Sequence, residues 1–243
     1  MKLAVLHVLL SPRDGGAERQ DAALLAGLAR AGHRVLGVVR RGTPIEQRAI
    51  EDGAPIFPLG PSFPLGPGGI LTWWSRGRAR LLAAGGDWDL IHFSDPDSYA
   101  RTAGLIARGA GGRLPPSRQI VSCRGHGGAL SRSAAGALRR HQRAGGMIVT
   151  ASESLRAVLV SEGLDEERLA VVHPGIDVKR FVADAAARAA VRCELGFDDR
   201  SEVVGTVAVL DRDRGIETFL DAAAMVDETE ALYDRVLKIA RDA

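Results

Sequence analysis

A pair of glycines follows the first apolar run of the sequence, at a place suited to a phosphate. Residues 3–10 are largely apolar, the turn Ser11-Pro12-Arg13-Asp14-Gly15-Gly16 follows, and helix-period sequence begins at Ala17. A strand, a glycine turn and a helix N-terminus together present free backbone N–H groups and a partial positive charge, which suit an anion. A tight turn without a ligand explains Gly15 and Gly16 equally well.

A second glycine-rich turn carries a histidine. Arg124-Gly125-His126-Gly127-Gly128 follows the apolar run that ends at Cys123. The glycines give His126 a permissive loop, beside the fixed positive charge of Arg124. His126 could act as a general base, donate a hydrogen bond to a sugar hydroxyl or contact a phosphate, and a structural role is also open. The other histidines in apolar runs, His7 and His92, are assigned to strands.

An acidic pair follows a third apolar run. Asp95-Pro96-Asp97 comes directly after Leu90–Ser94. An Asp-x-Asp sequence can hold Mg²⁺ or Mn²⁺ against a nucleotide diphosphate. Pro96 instead favours a turn in which Asp97 caps the next helix. We therefore predict a helix cap here and no metal site.

Strand-length apolar runs alternate with helix-period segments through most of the chain. This alternation predicts an α/β fold with a doubly wound parallel sheet. Ligand sites in such sheets lie at the carboxyl ends of the strands, where the loops described above fall. The predicted strands are Lys2–Leu10, His33–Arg40, Ala54–Pro58, Leu90–Ser94, Gln119–Cys123, Gly146–Thr150 and Leu169–Val172, and the predicted helices are 17–31, 44–51, 69–84, 97–109, 130–143 and 152–162.

The composition excludes several classes of protein. Hydrophobic residues make up 46% of the 243 residues and charged residues 26%, which is typical of a folded domain. No apolar run reaches the roughly 18 residues of a spanning helix. Cys123 and Cys193 lack metal-ligand spacing, and their small number fits a cytoplasmic protein. Aromatic residues are only 5% and do not alternate with basic clusters, so we expect no nucleic acid partner.

Charge is distributed unevenly along the chain. Residues 1–160 carry 21 Lys and Arg against 11 Asp and Glu, whereas residues 161–243 carry 11 against 19. A basic first part can attract anionic lipid headgroups or phosphorylated substrates, or it can face the acidic second part. The dinucleotide fingerprint G-x-G-x-x-G is absent, but Arg40-Arg41 at a strand end could hold a 2′-phosphate, so an NADP oxidoreductase is a distant third hypothesis.

Several short motifs occur in an order typical of one enzyme family. They are Gly15-Gly16-Ala17-Glu18-Arg19, Ile91-His92-Phe93-Ser94-Asp95-Pro96-Asp97, Val121-Ser122-Cys123-Arg124-Gly125-His126, Thr150-Ala151-Ser152-Glu153-Ser154-Leu155 and Val172-His173-Pro174-Gly175-Ile176-Asp177 through Phe181. Together they resemble the N-terminal half of family 4 glycosyltransferases of the GT-B fold. The likeness extends over about residues 2–220.

The resemblance implies a retaining transferase that moves a sugar from a nucleotide diphosphate sugar, its co-substrate, without an essential metal or other cofactor. It places Gly15 and Gly16 at the donor phosphates and His126 at the reacting centre. We expect Arg124 and Asp95 to contact the acceptor or an anion. Members of the family often build cell-envelope glycans or glycolipids at the inner membrane face, which implies a cytoplasmic protein with peripheral membrane contact.

The sequence departs from the family after residue 177. We predict a Rossmann-like acceptor-side domain over 1–177, a helical linker over 178–200 and a remnant of the donor-binding domain over 201–243. In this remnant a strand is predicted at Glu202–Leu210, and Arg214 is the expected phosphate contact, although it stands where the family usually has lysine. The family's pair of donor-binding glutamates has no counterpart in place, which indicates an internal deletion.

Two hypotheses follow from this departure. The chain is a glycosyltransferase that turns over very slowly unless a separate donor-domain chain completes it. Alternatively, it is a non-catalytic acceptor-binding module, or a subunit of a split glycosyltransferase.

Overall fold

The computed structural model describes residues 1–60, 86–109, 113–124, 130–176, 178–179, 181–208 and 215–225. All seven strands predicted before residue 173 are present, and the predicted helix 69–84 lies outside the described residues. The strands are β1 (Ala4–Leu9), β2 (Arg34–Arg40), β3 (Ile56–Leu59), β4 (Leu90–Phe93), β5 (Gln119–Cys123), β6 (Met147–Thr150) and β7 (Leu169–Val171). The helices are α1 (Gly16–Arg30), α2 (Pro44–Glu51), α3 (Pro96–Gly109), α4 (Arg132–Arg143), α5 (Glu153–Ser161) and α6 (Ala185–Glu194).

The seven strands form one parallel sheet in the order β3-β2-β1-β4-β5-β6-β7. The chain builds outward from β1 to β3 and then returns to place β4 on the other side of β1. Strand order therefore reverses between β1 and β4. In open α/β sheets the crevice beyond such a reversal is where ligands bind. The doubly wound fold predicted from the sequence is confirmed.

Each face of the sheet carries its own apolar core because side chains alternate along a strand. Leu6 and Phe93 pack in a core with residues of α3, α4 and α5. Val5 and Leu9 pack on the opposite face with residues of α1 and α2. His7 alternates with Leu6 along β1 and so lies on the face covered by α1. This alternation decides which polar groups meet beneath α1.

Gly37 of β2 lies where no larger side chain fits. A Cβ at this position would overlap Cδ2 of Leu25 on α1 and lie 3.2 Å from Cγ2 of Ile56 on β3. We expect Gly37→Ala to lower the free energy of unfolding by about 2 kcal/mol, as overpacked cores do. Gly27→Ala on α1, where a Cβ meets nothing within 4 Å, is the matched control and should stabilise the protein by about 1 kcal/mol. Urea unfolding measures both changes, and equal stability of the two variants would contradict this packing.

The chain divides into two compact units, Met1–Ile176 and Asp177–Ala243. In the second unit, α6 is shorter than the predicted helical stretch 178–196. The Arg192 guanidinium closes the end of α6, donating from Nε to the carbonyl oxygen of Asp198 at 3.0 Å. Residues 216–225 are helical, as the sequence after Gly215 predicts. The assignment of a linker and of a donor-domain remnant to this unit stays a prediction.

The predicted strand Glu202–Leu210 is wrong over its described part, residues 202–208, which form no strand. A strand requires a neighbour for its N–H and C=O groups. No segment among the described residues pairs with this one. Val203, Val204 and Val207 are accordingly exposed. An apolar, β-branched sequence alone does not make a strand where no ladder is available.

Candidate functional site

A cavity of about 660 Å³ opens at the carboxyl edge of the sheet, within the first unit. Its lining comes from the segments after β1, β4 and β5 and from the helices around them. The wall formed by α5 is apolar, through Leu155, Val158 and Leu159. Four arginines supply positive charge to the lining, namely Arg13, Arg40, Arg101 and Arg124. The lining also holds five carboxyl groups, those of Glu18, Asp21, Asp95, Asp97 and Glu162, so the site joins an apolar wall to a region of mixed charge.

The glycine turn before α1 is filled by the helix's own cap. The Glu18 carboxylate accepts from the Gly15 N–H at 3.0 Å and from the Ser11 hydroxyl at 2.7 Å. A Cβ on Gly15 would lie 2.8 Å from Glu18 Oε2, so glycine leaves room for this cap, whereas a Cβ on Gly16 meets nothing within 4 Å. The predicted phosphate role of Gly15 and Gly16 stays a prediction, and it requires a phosphate to bind beside the Glu18 carboxylate.

Asp95 lines the cavity and caps α3. Its Oδ1 accepts from the Ser98 N–H at 2.7 Å, and its Oδ2 accepts from the hydroxyls of Ser98 at 2.6 Å and Ser94 at 3.2 Å. The prediction that Asp97 caps this helix was wrong, because Pro96, which lacks an N–H, occupies the first helical position and the cap is therefore Asp95. Asp97 instead accepts from the Ser131 hydroxyl at 3.2 Å.

Two histidines stack where strand order reverses. His7 on β1 and His92 on β4 are register partners, with ring centroids 4.4 Å apart and planes 4° from parallel. His92 Nε2 lies 2.7 Å from the Ser122 hydroxyl on β5. Burial lowers the pKa of His7 well below its usual value, and burial with the nearby Arg124 guanidinium lowers the pKa of His92 to about 4. Both imidazoles are therefore neutral at pH 7.

Asp21 and Arg124 form a buried ion pair beside this stack. Arg124 Nη1 lies 2.6 Å from Asp21 Oδ1 and donates to the Ala17 carbonyl at 3.2 Å. The Asp21 side chain is 3% exposed and that of Arg124 16%. Burial raises the pKa of Asp21 to about 7 despite the opposing charge of Arg124. Both residues line the cavity. Among the described residues, Arg124 is the charged partner of Asp21, whose carboxyl group titrates near neutral pH.

The structure brings two of the residues predicted for the site, Arg124 and Asp95, to the same cavity. His126 and Arg214 lie outside the described residues. Asp21 was not predicted as a site residue, although its position between Ala17 and Leu25 on one helix face is a recognisable signal. A carboxylate on the apolar stripe of a helix is buried and therefore needs a partner.

No group of acidic, histidine or cysteine side chains in the described part of the chain is arranged to hold a metal ion. Among the same residues, no helix is both long and apolar enough to cross a membrane.

The fold is shared with solved structures that include a glycosyltransferase and a galactosyltransferase. HepE of Anabaena in complex with UDP and glucose superposes with a TM-score of 0.62 at 15% identity, over 80% of this chain and 50% of that one. A glycosyltransferase of Rickettsia africae gives 0.65 at 13% identity, over 82% and 51%. The lipopolysaccharide outer core galactosyltransferase WaaB gives 0.50 at 10% identity, over 75% and 48%. The chain thus spans about half the length of these structures.

No curated protein matches the chain. The family model for Glycosyltransferase Family 4 matches residues 14–180, which include most of the residues that line the cavity. This match and the GT-B neighbours confirm the resemblance seen in the sequence. Since the matched residues make up more than half of the protein, the chain belongs to Glycosyltransferase Family 4.

Proposed function

We propose that this chain is the acceptor side of a transferase that moves a sugar from a nucleotide diphosphate sugar to a cell-envelope glycan or glycolipid. The reaction is retaining and needs no metal, as the family resemblance implies. The fold shared with HepE, which was solved with UDP-glucose, supports a nucleotide sugar as the co-substrate. The observation that carries the proposal is the cavity at the carboxyl edge of the sheet, beyond the reversal of strand order.

The lining of this cavity favours a glycolipid acceptor over a purely polar glycan. One wall is apolar along α5, and four arginines share the rest of the lining with five carboxyl groups. An apolar chain would match the wall along α5, and an anionic headgroup would pair with arginine rather than with the carboxyl groups. The likeness to WaaB, a lipopolysaccharide galactosyltransferase, agrees with an envelope acceptor. The basic first part of the chain supports peripheral contact with an anionic inner membrane face.

The sequence-predicted residues take the following roles in this proposal. Gly15, Gly16 and Arg214 contact the donor phosphates, and His126 lies at the reacting centre. Arg124 and Asp95 contact the acceptor or its anionic group. Sugar transfer develops negative charge on the leaving diphosphate, and positioned N–H groups and cations stabilise that charge.

The chain's affinity for nucleotides tests the proposal that a separate donor half is needed. We expect UDP, GDP and their sugar conjugates to bind the isolated chain with a Kd of millimolar or weaker. The reason is that the pair of donor-binding glutamates typical of the family has no counterpart in place in this sequence. Calorimetric titration of the purified chain measures this affinity. A micromolar Kd for any of these nucleotides would mean that the chain forms a donor site by itself, and the dependence on a second chain would be wrong.

A second candidate is a non-catalytic acceptor-binding module, or the subunit of a split enzyme whose partner binds the donor. Two observations favour it. The chain spans about half the length of the solved transferases, and residues 202–208 have no strand partner among the described residues. Glycolipid binding with no labelled-sugar transfer, even after a donor-binding chain is added, would favour this candidate over the transferase.

A further inference from the structure

Arg124 has hydrogen-bond donors that no described residue of the chain uses. Its Nη1 is committed to Asp21 Oδ1 at 2.6 Å and to the Ala17 carbonyl at 3.2 Å. A guanidinium carries five N–H groups, and the other three are on Nε and Nη2. Within the described residues these three have no partner. The side chain is 16% exposed and lines the cavity, so the unused edge is available to a ligand.

The committed edge of Arg124 is held in place from several directions. Asp21 projects from α1, and Ala17 belongs to the first turn of the same helix. The His7 and His92 rings pack close by, and His7 Nε2 lies 3.7 Å from Asp21 Oδ1. A guanidinium fixed along one edge presents the other in a defined orientation, which is the geometry that binds an oxyanion bidentately.

The charged groups that face Asp21 act on its protonation in opposite directions. Glu18 on α1 and Asp95 after β4 add negative charge, Arg124 adds positive charge, and the neutral imidazoles of β1 and β4 add none. Burial is the largest influence and raises the pKa of Asp21 to about 7. The carboxylate therefore exchanges its proton near neutral pH, and a second anion placed on Arg124 would favour the protonated form.

We propose that the cavity binds an oxyanion of a phosphoryl group on Nε and Nη2 of Arg124, and that Asp21 takes up one proton from solvent as the anion binds. Binding exchanges one negative partner of the guanidinium for another, so the net charge around Arg124 stays balanced. The inference rests on the proposed function only for the origin of the phosphoryl group, which belongs either to the donor diphosphate or to a glycolipid headgroup.

Sulfate tests the site, because its charge is constant between pH 6 and pH 8. Affinity is measured by calorimetry with the full chain at constant ionic strength. We expect the Kd for sulfate to rise about tenfold from pH 6 to pH 8 as Asp21 ionises in the free protein. Asp21→Asn should remove this dependence and keep the tighter value at both pH values, and Arg124→Met should abolish binding. Asp14→Asn, which removes an exposed carboxylate paired with Arg19 and Arg48, is the matched control and should keep the tenfold change.

Wild-type protein alone gives a second measurement that does not depend on the variants folding. Titrations at pH 8 in buffers of different ionisation enthalpy should show uptake of nearly one proton per sulfate. A Kd independent of pH in the wild type, the same pH dependence in Asp21→Asn, or unchanged binding by Arg124→Met would overturn the proposal. These results do not involve a nucleotide, so they are separate from failure of the proposed function.

Two further titrations identify the source of the phosphoryl group. UDP-glucose carries a diphosphate diester, and glycerophosphoglycerol carries the phosphodiester of a lipid headgroup, and neither changes charge over this pH range. The ligand that supplies the phosphoryl group should meet two criteria. It should fail to bind Arg124→Met, and its affinity for Asp21→Asn should not depend on pH. If both ligands bind the wild type but neither responds to these substitutions, the proposal is wrong.

Discussion

Replacing Arg124 with methionine is expected to lower the free energy of unfolding by about 3 kcal/mol at pH 8. The variant leaves Asp21, whose side chain is 3% exposed, without its cation. The pKa of Asp21, already raised to about 7, rises further when the guanidinium is removed. An acid whose folded pKa exceeds its unfolded value of 3.8 destabilises the fold progressively as pH rises between those values. About 1.4 kcal/mol of this loss should therefore disappear at pH 5, where folded Asp21 is protonated in both proteins, because the wild-type carboxyl titrates only one pH unit below pH 8.

A double variant measures the interaction free energy between Asp21 and Arg124. Asp21→Asn combined with Arg124→Met removes the buried charge as well as its cation, and it should recover most of the stability that Arg124→Met loses at pH 8. Urea unfolding followed by tryptophan fluorescence is the measurement, since Trp88 lies within the first unit. Additive effects of the two substitutions at pH 8 would show that the pair contributes nothing to stability.

Acidification from pH 6.5 to pH 4 is expected to lower the free energy of unfolding by about 3 kcal/mol through the titration of His92 alone. The pKa of folded His92 is lowered to about 4, below its unfolded value of 6.5. In this interval the unfolded chain binds a proton that the folded protein excludes, so stability present above pH 6.5 is lost as pH falls. His7, whose pKa is also lowered by burial, acts in the same direction, and Asp21 acts in the opposite one.

His92→Gln provides the comparison, because the amide can keep a hydrogen bond to the Ser122 hydroxyl and does not titrate. We expect this variant to lose about 3 kcal/mol less than the wild type between pH 6.5 and pH 4. Asp21→Asn should lose more than the wild type over the same range. Parallel unfolding curves for wild type and His92→Gln would contradict a neutral buried His92, and direct NMR titration of the imidazole carbons checks the same point without a substitution.

The elements of the first unit were predictable from sequence because they depend on local patterns. A short apolar run such as that of β6 and a helix stripe such as that of α1 are set by residues a few positions apart. The segment 202–208 shows the limit of this reasoning. It has the composition of a strand, but a strand exists only where another segment supplies hydrogen bonds, and that information is not in the segment itself.

The candidate site was predictable in its position and less so in its contents. Parallel strands bring the residues that follow β1, β4 and β5 to one edge of the sheet, so Arg124 and Asp95 line one cavity, and their contact with an acceptor or an anion stays a prediction. The cap of α3 lies two residues earlier than predicted, at Asp95 instead of Asp97, because Pro96 takes the first helical position.

By itself, the sequence determined the α/β class, the edge of the sheet at which the candidate site is proposed and membership of a transferase family, since each follows from local periodicity or from motifs in order. Only the tertiary structure decided that Asp21 pairs with Arg124 and that His7 stacks on His92. These residues lie far apart in the chain and meet through strand order and register. Their unusual pKa values arise from burial and neighbouring charges, which exist only once the sheet and α1 have packed together.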